Sequence, residues 1–135
     1  MPEKRTLERA RKDAREGKAP STQAGEFVRE EMEHIREGKH GARSTMQAIA
    51  IGLAKARRAG VKLPPPPAGR ASSKTRHSAA QASRAGQNGS HRKPSTRRSR
   101  ATLQALKREG RSAASHQALS RHARQAAARR KARAA

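Results

Sequence analysis

Every valine, isoleucine and aromatic residue of this 135-residue chain lies between residues 27 and 61. The complete set is Phe27, Val28, Ile35, Ile49, Ile51 and Val61. Because sheet and barrel cores draw mainly on β-branched and aromatic side chains, the rest of the chain lacks the material for such a core. The distribution therefore predicts an all-α protein with one small core.

The apolar residues of this region repeat at helical spacing and predict a small helical hairpin over residues 21–63. The first helix, at about 23–37, places Phe27 and Ile35 on one face. Its glutamates, among them Glu30, fall mostly on the opposite face, which we expect to be solvated. The second helix, at about 45–59, is capped by Ser44 or Thr45.

Two residues of the second helix stand out from its pattern. Gly52 lies in mid-helix, where glycine is unfavourable, so it predicts a close approach of another backbone. Ile51 falls outside the apolar face. Packing of Ile51 against a second copy in a homodimer is one way to stabilise so small a hairpin.

The sequence outside the hairpin divides into three further segments. Residues 1–20 predict a polar N-terminal helix that either frays or is solvated, since it has no apolar stripe. Residues 64–98 form a Pro/Ser/Arg-rich linker that opens with the polyproline run Pro64 to Pro67. Residues 99–135 predict a basic helical tail, with Ser112 capping its last helix. We expect the long basic tail to be largely disordered or conditionally helical.

Charge divides the chain more sharply than hydrophobicity does. Residues 1–37 hold 9 Lys/Arg and 9 Asp/Glu, whereas residues 38–135 hold 24 Lys/Arg and a single acid, Glu109. This asymmetry predicts a polyanionic partner. Nucleic acid is favoured, and duplex DNA above RNA. With Phe27 as the only Phe, Tyr or Trp residue, the chain has no aromatic platform on which bases stack, which disfavours a specific reader of single strands. The predicted binding residues are Lys39, His40, Arg43, Lys55, Arg57, Arg58, Arg97, Arg98, Arg100, Arg121, Arg124, Arg129, Arg130 and Lys131.

The connector Gly38-Lys39-His40-Gly41 between the two helices resembles the GxxG loop of KH domains, which holds nucleic-acid backbone. Glycines allow the loop to approach a phosphate, and the following helix start offers backbone N–H groups. The chain cannot build the sheet of a KH domain. The alternative is that Gly38 only ends a helix and Gly41 only forms a turn.

The sequence shows no catalytic constellation, and we expect the protein not to be an enzyme. It has no cysteine, and its serines lack a partner pattern of Asp and His. The pair Glu31 and His34 has the spacing of half a di-iron motif, but the other half is missing. We therefore predict no metal and no cofactor. The longest apolar run is too short to cross a bilayer, so we predict no membrane partner.

The stretch GKHGARSTMQAIAIGLAKARRAG, with the preceding GEFVREEMEHIRE, resembles the core of a family of small, basic bacterial proteins of unassigned function. The later stretches SKTRHSAAQASRAG and REGRSAASHQALSRHARQAAARR resemble the tail of that family. The resemblance implies a bacterial cytoplasmic protein and carries no established activity. In composition, the tail also resembles the tails of linker-histone-like nucleoid proteins.

The function that these patterns favour is non-enzymatic, sequence-tolerant DNA binding, with nucleoid association or DNA condensation. The expected location is the cytoplasm, at the nucleoid. The first alternative is association with structured RNA or the ribosome. The second is a stress-related adaptor that binds a protein through the hairpin.

Overall fold

The computed structural model describes residues 2–89 and 93–134, and over these residues the protein is all-α. Met1, residues 90–92 and Ala135, which belong to the N-terminal, linker and tail segments, lie outside the described residues. None of the described helices is long and apolar enough to cross a membrane. The described helices are α1 (Lys4–Arg15), α2 (Pro20–Arg36), α3 (Thr45–Arg58), α4 (Ser73–Gln87), α5 (Thr96–Lys107), the 3₁₀ turn Ser112–Ala114, and α6 (His116–Ala134).

The chain divides into two compact units, each built from two separate stretches. Unit 1 comprises Met1–Glu31 and Ala50–Pro94, and unit 2 comprises Met32–Ile49 and Ser95–Ala135. The four consecutive segments expected from the sequence are a different division, made by composition, and they stay a prediction. Both units include residues after 64.

Unit 1 has a small apolar core around Phe27. Ala10, Ala24, Ala56 and Val61 are buried with Phe27 in one cluster. The prediction that the N-terminal helix frays is therefore not supported, since α1 contributes Ala10 to this core. Helices α2 and α3 come close together where Gly52 lies against the backbone of Val28. A Cβ atom on Gly52 would meet Val28 Cα at 2.7 Å, which confirms the predicted close approach.

The acidic face of α2 is not solvated at Glu30. This side chain is buried, and its Oε1 accepts hydrogen bonds from the Glu3 backbone N–H at 2.6 Å and from the Thr6 hydroxyl at 3.1 Å. The neighbouring Glu31 is also buried and pairs with Lys55 of α3. Both carboxylates therefore lie in the interior of unit 1. Their hydrogen-bond and ion-pair partners offset the free-energy cost of burying a charge.

The polyproline run does not end the folded part of the chain. The Ser83 hydroxyl lies 3.4 Å from the Leu63 carbonyl, and Arg76 donates to the Pro66 carbonyl at 3.3 Å. Helix α4 buries Ala79 and Ala82 in unit 1. The expectation of a long, largely disordered tail is not supported for the described residues, which form α4, α5 and α6.

Candidate nucleic-acid interface

A cationic concave surface lies in unit 2, where two segments distant in sequence line a hollow of about 410 Å³. We call it the unit 2 hollow. One wall is the start of α3, and the other runs from the 3₁₀ turn into the first turns of α6. The lining residues are Arg43, Ser44, Thr45, Met46, Ser112, Ala113, Ser115, Gln117, Ala118, Arg121, His122 and Gln125.

Backbone carbonyls of residues 106–114 hold the connector before α3 in place. Gly41 N–H donates to the Leu106 carbonyl at 2.9 Å, and Ala42 N–H donates to the Gly110 carbonyl at 3.2 Å. The Thr45 hydroxyl donates to the Ala113 carbonyl at 2.7 Å. These three bonds fix the start of α3 beside the 3₁₀ turn, so the two walls of the hollow have a defined separation.

Both walls carry a serine-capped helix start. The Ser44 hydroxyl accepts from Gln47 N–H at 3.1 Å, and the Ser115 hydroxyl accepts from Ala118 N–H, also at 3.1 Å. The first N–H groups of a helix have no intrahelical carbonyl partner. The positive ends of two helix dipoles therefore face the same hollow, which favours an anionic ligand.

The side chains around the hollow reinforce this preference. Arg43 and Arg121 line it and are exposed, and none of its lining residues is acidic. By sequence, unit 2 contains 15 Lys/Arg against 3 Asp/Glu. The hollow can therefore hold a phosphate group by direct hydrogen bonds to arginine, which suits bidentate phosphate recognition.

Most of the predicted basic residues lie exposed on α5 and α6. Of the predicted residues on these two helices, Arg121 alone lines the hollow, and the others extend the cationic surface of unit 2 along α5 and α6. The exposed group consists of Arg97, Arg98, Arg100, Arg124, Arg129, Arg130 and Lys131.

Two predicted binding residues of α3 are used inside unit 1. Lys55 pairs with the buried Glu31. Arg57 is buried and donates to the carbonyls of Leu63 at 3.3 Å and Pro64 at 2.9 Å. Burial lowers the pKa of the Arg57 guanidinium below its ordinary value. Both side chains are engaged within the chain, whereas the neighbouring Arg58 is exposed.

The Gly38 to Gly41 connector makes contacts within the chain. Gly38 has a φ of 78°, as expected for a residue that ends a helix. A Cβ atom on Gly41 would lie 2.1 Å from the Glu109 carbonyl oxygen, so the backbone of Gly41 is packed against residues 109–110. This contact explains the glycine without a phosphate.

The two predicted basic residues of the connector have partners close in sequence. Lys39 pairs with Glu37 at 3.1 Å. His40 Nδ1 lies 2.9 Å from the Gly41 carbonyl oxygen, and the His40 ring meets the ring of His34 edge-on at a centroid distance of 6.0 Å.

Sequence reasoning found one wall of the hollow and missed the other. The start of α3 was identified as a source of N–H groups. The cap of α6, however, is Ser115, whereas Ser112 was predicted. A signal was present after Ser115, because Gln117, Arg121 and Gln125 are spaced four residues apart and share one helix face.

Comparison with protein families gives one match over part of the chain. A model described as a family of unknown function (DUF6496) matches residues 15–66. This agrees with the resemblance to a family of unassigned function. The match includes α2, the connector and α3, and hence one wall of the hollow. No curated protein and no solved structure matches the chain.

Proposed function

We propose that the protein binds nucleic acid through unit 2, without reading base sequence and without catalysis. The observation that supports this most directly is the unit 2 hollow. Two capped helix starts, Arg43 and Arg121 line this hollow, and none of its lining residues is acidic. Such an arrangement selects an anion by charge and hydrogen bonding. It does not by itself distinguish one base from another.

The cationic surface beyond the hollow extends this preference from one phosphate to a chain of phosphates. Arg97, Arg98 and Arg100 lie exposed on α5, and Arg124, Arg129 and Arg130 lie exposed on α6. A polymer with regularly spaced phosphates releases counterions at each neutralised contact. Binding then depends steeply on salt, with roughly 0.9 added to the log–log slope for each duplex phosphate contacted.

Duplex DNA at the bacterial nucleoid is the partner that we favour, and structured RNA is the second candidate. The two share the phosphate chemistry of the hollow, so their relative affinity has to be measured. The adaptor hypothesis has less support. The apolar face of the hairpin around Phe27 and Ala56, which a protein partner would use, is covered in unit 1 by α1.

The test is a titration of the full chain against duplex DNA and structured RNA at several salt concentrations. The variant Arg43→Gln/Arg121→Gln removes both arginines of the hollow. We expect it to reduce the slope by up to about 1.8, the value for two phosphates. The matched control Arg70→Gln/Arg84→Gln removes the same charge from exposed positions in unit 1 and should have a smaller effect.

Two outcomes would contradict the proposal. A shallow salt slope of the unmodified chain on both polymers would exclude nucleic acid as the partner. Equal losses in the two double variants would show that net charge, and not the hollow, determines binding. Clearly tighter binding to RNA would retain the proposed chemistry and replace DNA as the partner.

A further inference from the structure

We propose that the unit 2 hollow accepts one unpaired nucleotide, with its phosphate at the two helix starts and its base against Met46. This inference rests on the proposed function. It adds a contact that the phosphate chemistry alone does not give, namely with an unpaired base at a strand end or in a single-stranded stretch of the nucleic acid.

The size of the hollow is the first argument. Its volume of about 410 Å³ lies within the range of small-molecule pockets, which begins at about 300 Å³. A phosphate group alone would leave most of this space empty. The remaining space is suited to a sugar and a base.

Met46 is the second argument. Its side chain lines the hollow and is 64% exposed, which makes it one of two exposed large hydrophobic residues in the described part of the chain. It follows Thr45, whose hydroxyl is bonded to Ala113, so the backbone that carries Met46 is anchored. A thioether makes favourable contacts with aromatic rings. When a phosphate of a nucleic acid is bound in the hollow, the aromatic group that can reach Met46 is the base of the same nucleotide.

Helix α6 supplies the third argument. Gln117, Arg121 and Gln125 form a row at four-residue spacing, and all three line the hollow. The Arg121 guanidinium can donate hydrogen bonds to the phosphate, while a glutamine amide offers both a donor and an acceptor to the edge of a base. A base can enter a hollow in the protein surface only when it has left the base-pair stack. A base that these amides contact inside the hollow is therefore unpaired.

Methionine methyl NMR on the full chain tests the position of the base directly. The sequence has 3 methionines, Met32 is buried, and the Met46→Leu variant identifies the Met46 signal. The probes are single-stranded oligodeoxyadenylate, a blunt duplex and inorganic polyphosphate. A base stacked near the methyl group would give the Met46 signal a ring-current shift with the single strand. We expect the Met32 signal to stay in place and polyphosphate to shift Met46 much less.

Substitution provides a second readout. We expect Met46→Ala to weaken binding of the single strand by about two- to thirteen-fold, the range of a thioether–aromatic contact. Its affinity for polyphosphate and its salt slope should not change. Leu103→Ala, at the other exposed large hydrophobic residue, is the matched control and should change neither affinity.

The outcomes separate this inference from the proposed function. Single-strand binding with no shift of the Met46 methyl signal would overturn the inference alone. An equal shift with polyphosphate, or equal effects of the Met46 and Leu103 substitutions, would do the same. Failure of the unmodified chain to bind any nucleic acid would overturn both proposals.

Discussion

The Thr45 hydroxyl and the Ala113 carbonyl are joined by a 2.7 Å hydrogen bond between buried residues that lie 68 positions apart. Thr45 is the first residue of α3, and Ala113 belongs to the 3₁₀ turn that precedes α6. One bond therefore connects the two walls of the unit 2 hollow. The geometry of the candidate site depends on contacts that no local stretch of sequence contains.

Replacement of Thr45 by valine should destabilise the protein by about 1–3 kcal/mol, because the buried Ala113 carbonyl loses its hydroxyl partner while the side-chain shape is kept. Thr45→Ser retains the hydroxyl and is the control. Urea denaturation of both variants measures the effect. Equal losses of stability in the two variants would show that the hydrogen bond contributes little.

Replacement of Gly41 by alanine should be more damaging, because a Cβ atom would lie 2.1 Å from the Glu109 carbonyl oxygen. Since both partners are backbone, relief requires the connector to separate from residues 109–110. We expect a loss of more than about 3 kcal/mol, beyond the typical cost of a point substitution. Gly25→Ala is the matched control, since a Cβ atom there meets nothing within 4 Å.

The control has its own expected sign. Gly25 lies inside α2, where alanine is more favourable than glycine by about 0.5–1 kcal/mol. The Gly25 variant should therefore have a higher melting temperature and the Gly41 variant a lower one. A stable Gly41 variant that keeps its nucleic-acid affinity would contradict the role assigned to the connector.

The sequence predicted the two helices of the hairpin well, but it predicted a largely disordered or conditionally helical tail where the described residues form helices. Phe27 and Ile35 give α2 a clear apolar face, and Gly52 indicated the close approach to Val28. The buried residues of the later helices and turn are alanines, namely Ala79, Ala82, Ala113 and Ala114. In an Ala-rich region such residues do not distinguish a buried face from an exposed one, so the pattern looked disordered.

The candidate site was predicted in part for a related reason. Composition treats all cations alike, and it therefore included Lys55 and Arg57 among the binding residues. Their partners are the Glu31 carboxylate and the carbonyls of Leu63 and Pro64. Every residue has a backbone carbonyl, so the pattern of residue types cannot show which carbonyls will accept a hydrogen bond from Arg57. Only the folded chain separates these side chains from exposed cations such as Arg58.

The pair of Glu31 and Lys55 should behave as a buried ion pair in a double-mutant cycle. The side chain of Glu31 is fully buried, and that of Lys55 is one-quarter exposed. Lys55→Met leaves the carboxylate without this partner and should cost about 3 kcal/mol. Glu31→Gln/Lys55→Met removes both charges and should recover most of that loss. Denaturant unfolding of the single and double variants checks this, and a double variant as unstable as Lys55→Met would contradict it.

Lys18 should make a contribution to stability that is lost at alkaline pH. Hydrogen bonds to Glu16 and Asp13 raise the pKa of Lys18 above its ordinary value. A raised pKa in the folded state means that the contribution is complete below the unfolded value of about 10.4 and disappears as the pH rises through the folded value. The difference in melting temperature between the unmodified chain and Lys18→Met should therefore shrink above about pH 10.4. Lys18→Arg, which keeps the positive charge above about pH 10.4, is the control and should not show this trend.

Arg57 and Arg58 are adjacent cations, and we expect substitution of Arg57 to affect stability and substitution of Arg58 to affect nucleic-acid binding. Arg57 is buried with two carbonyl acceptors, so Arg57→Ala should lower stability by roughly 2–3 kcal/mol. Its nucleic-acid affinity under folding conditions should change little, because the guanidinium already faces the chain itself.

Arg58→Ala should keep stability within about 0.5 kcal/mol, as expected for a surface position. If Arg58 contacts a phosphate, its loss reduces the salt slope by about 0.9. Urea denaturation and salt-dependent titration of the two variants, which have the same net charge, provide the comparison. Equal losses of affinity would show that burial does not remove Arg57 from the binding surface.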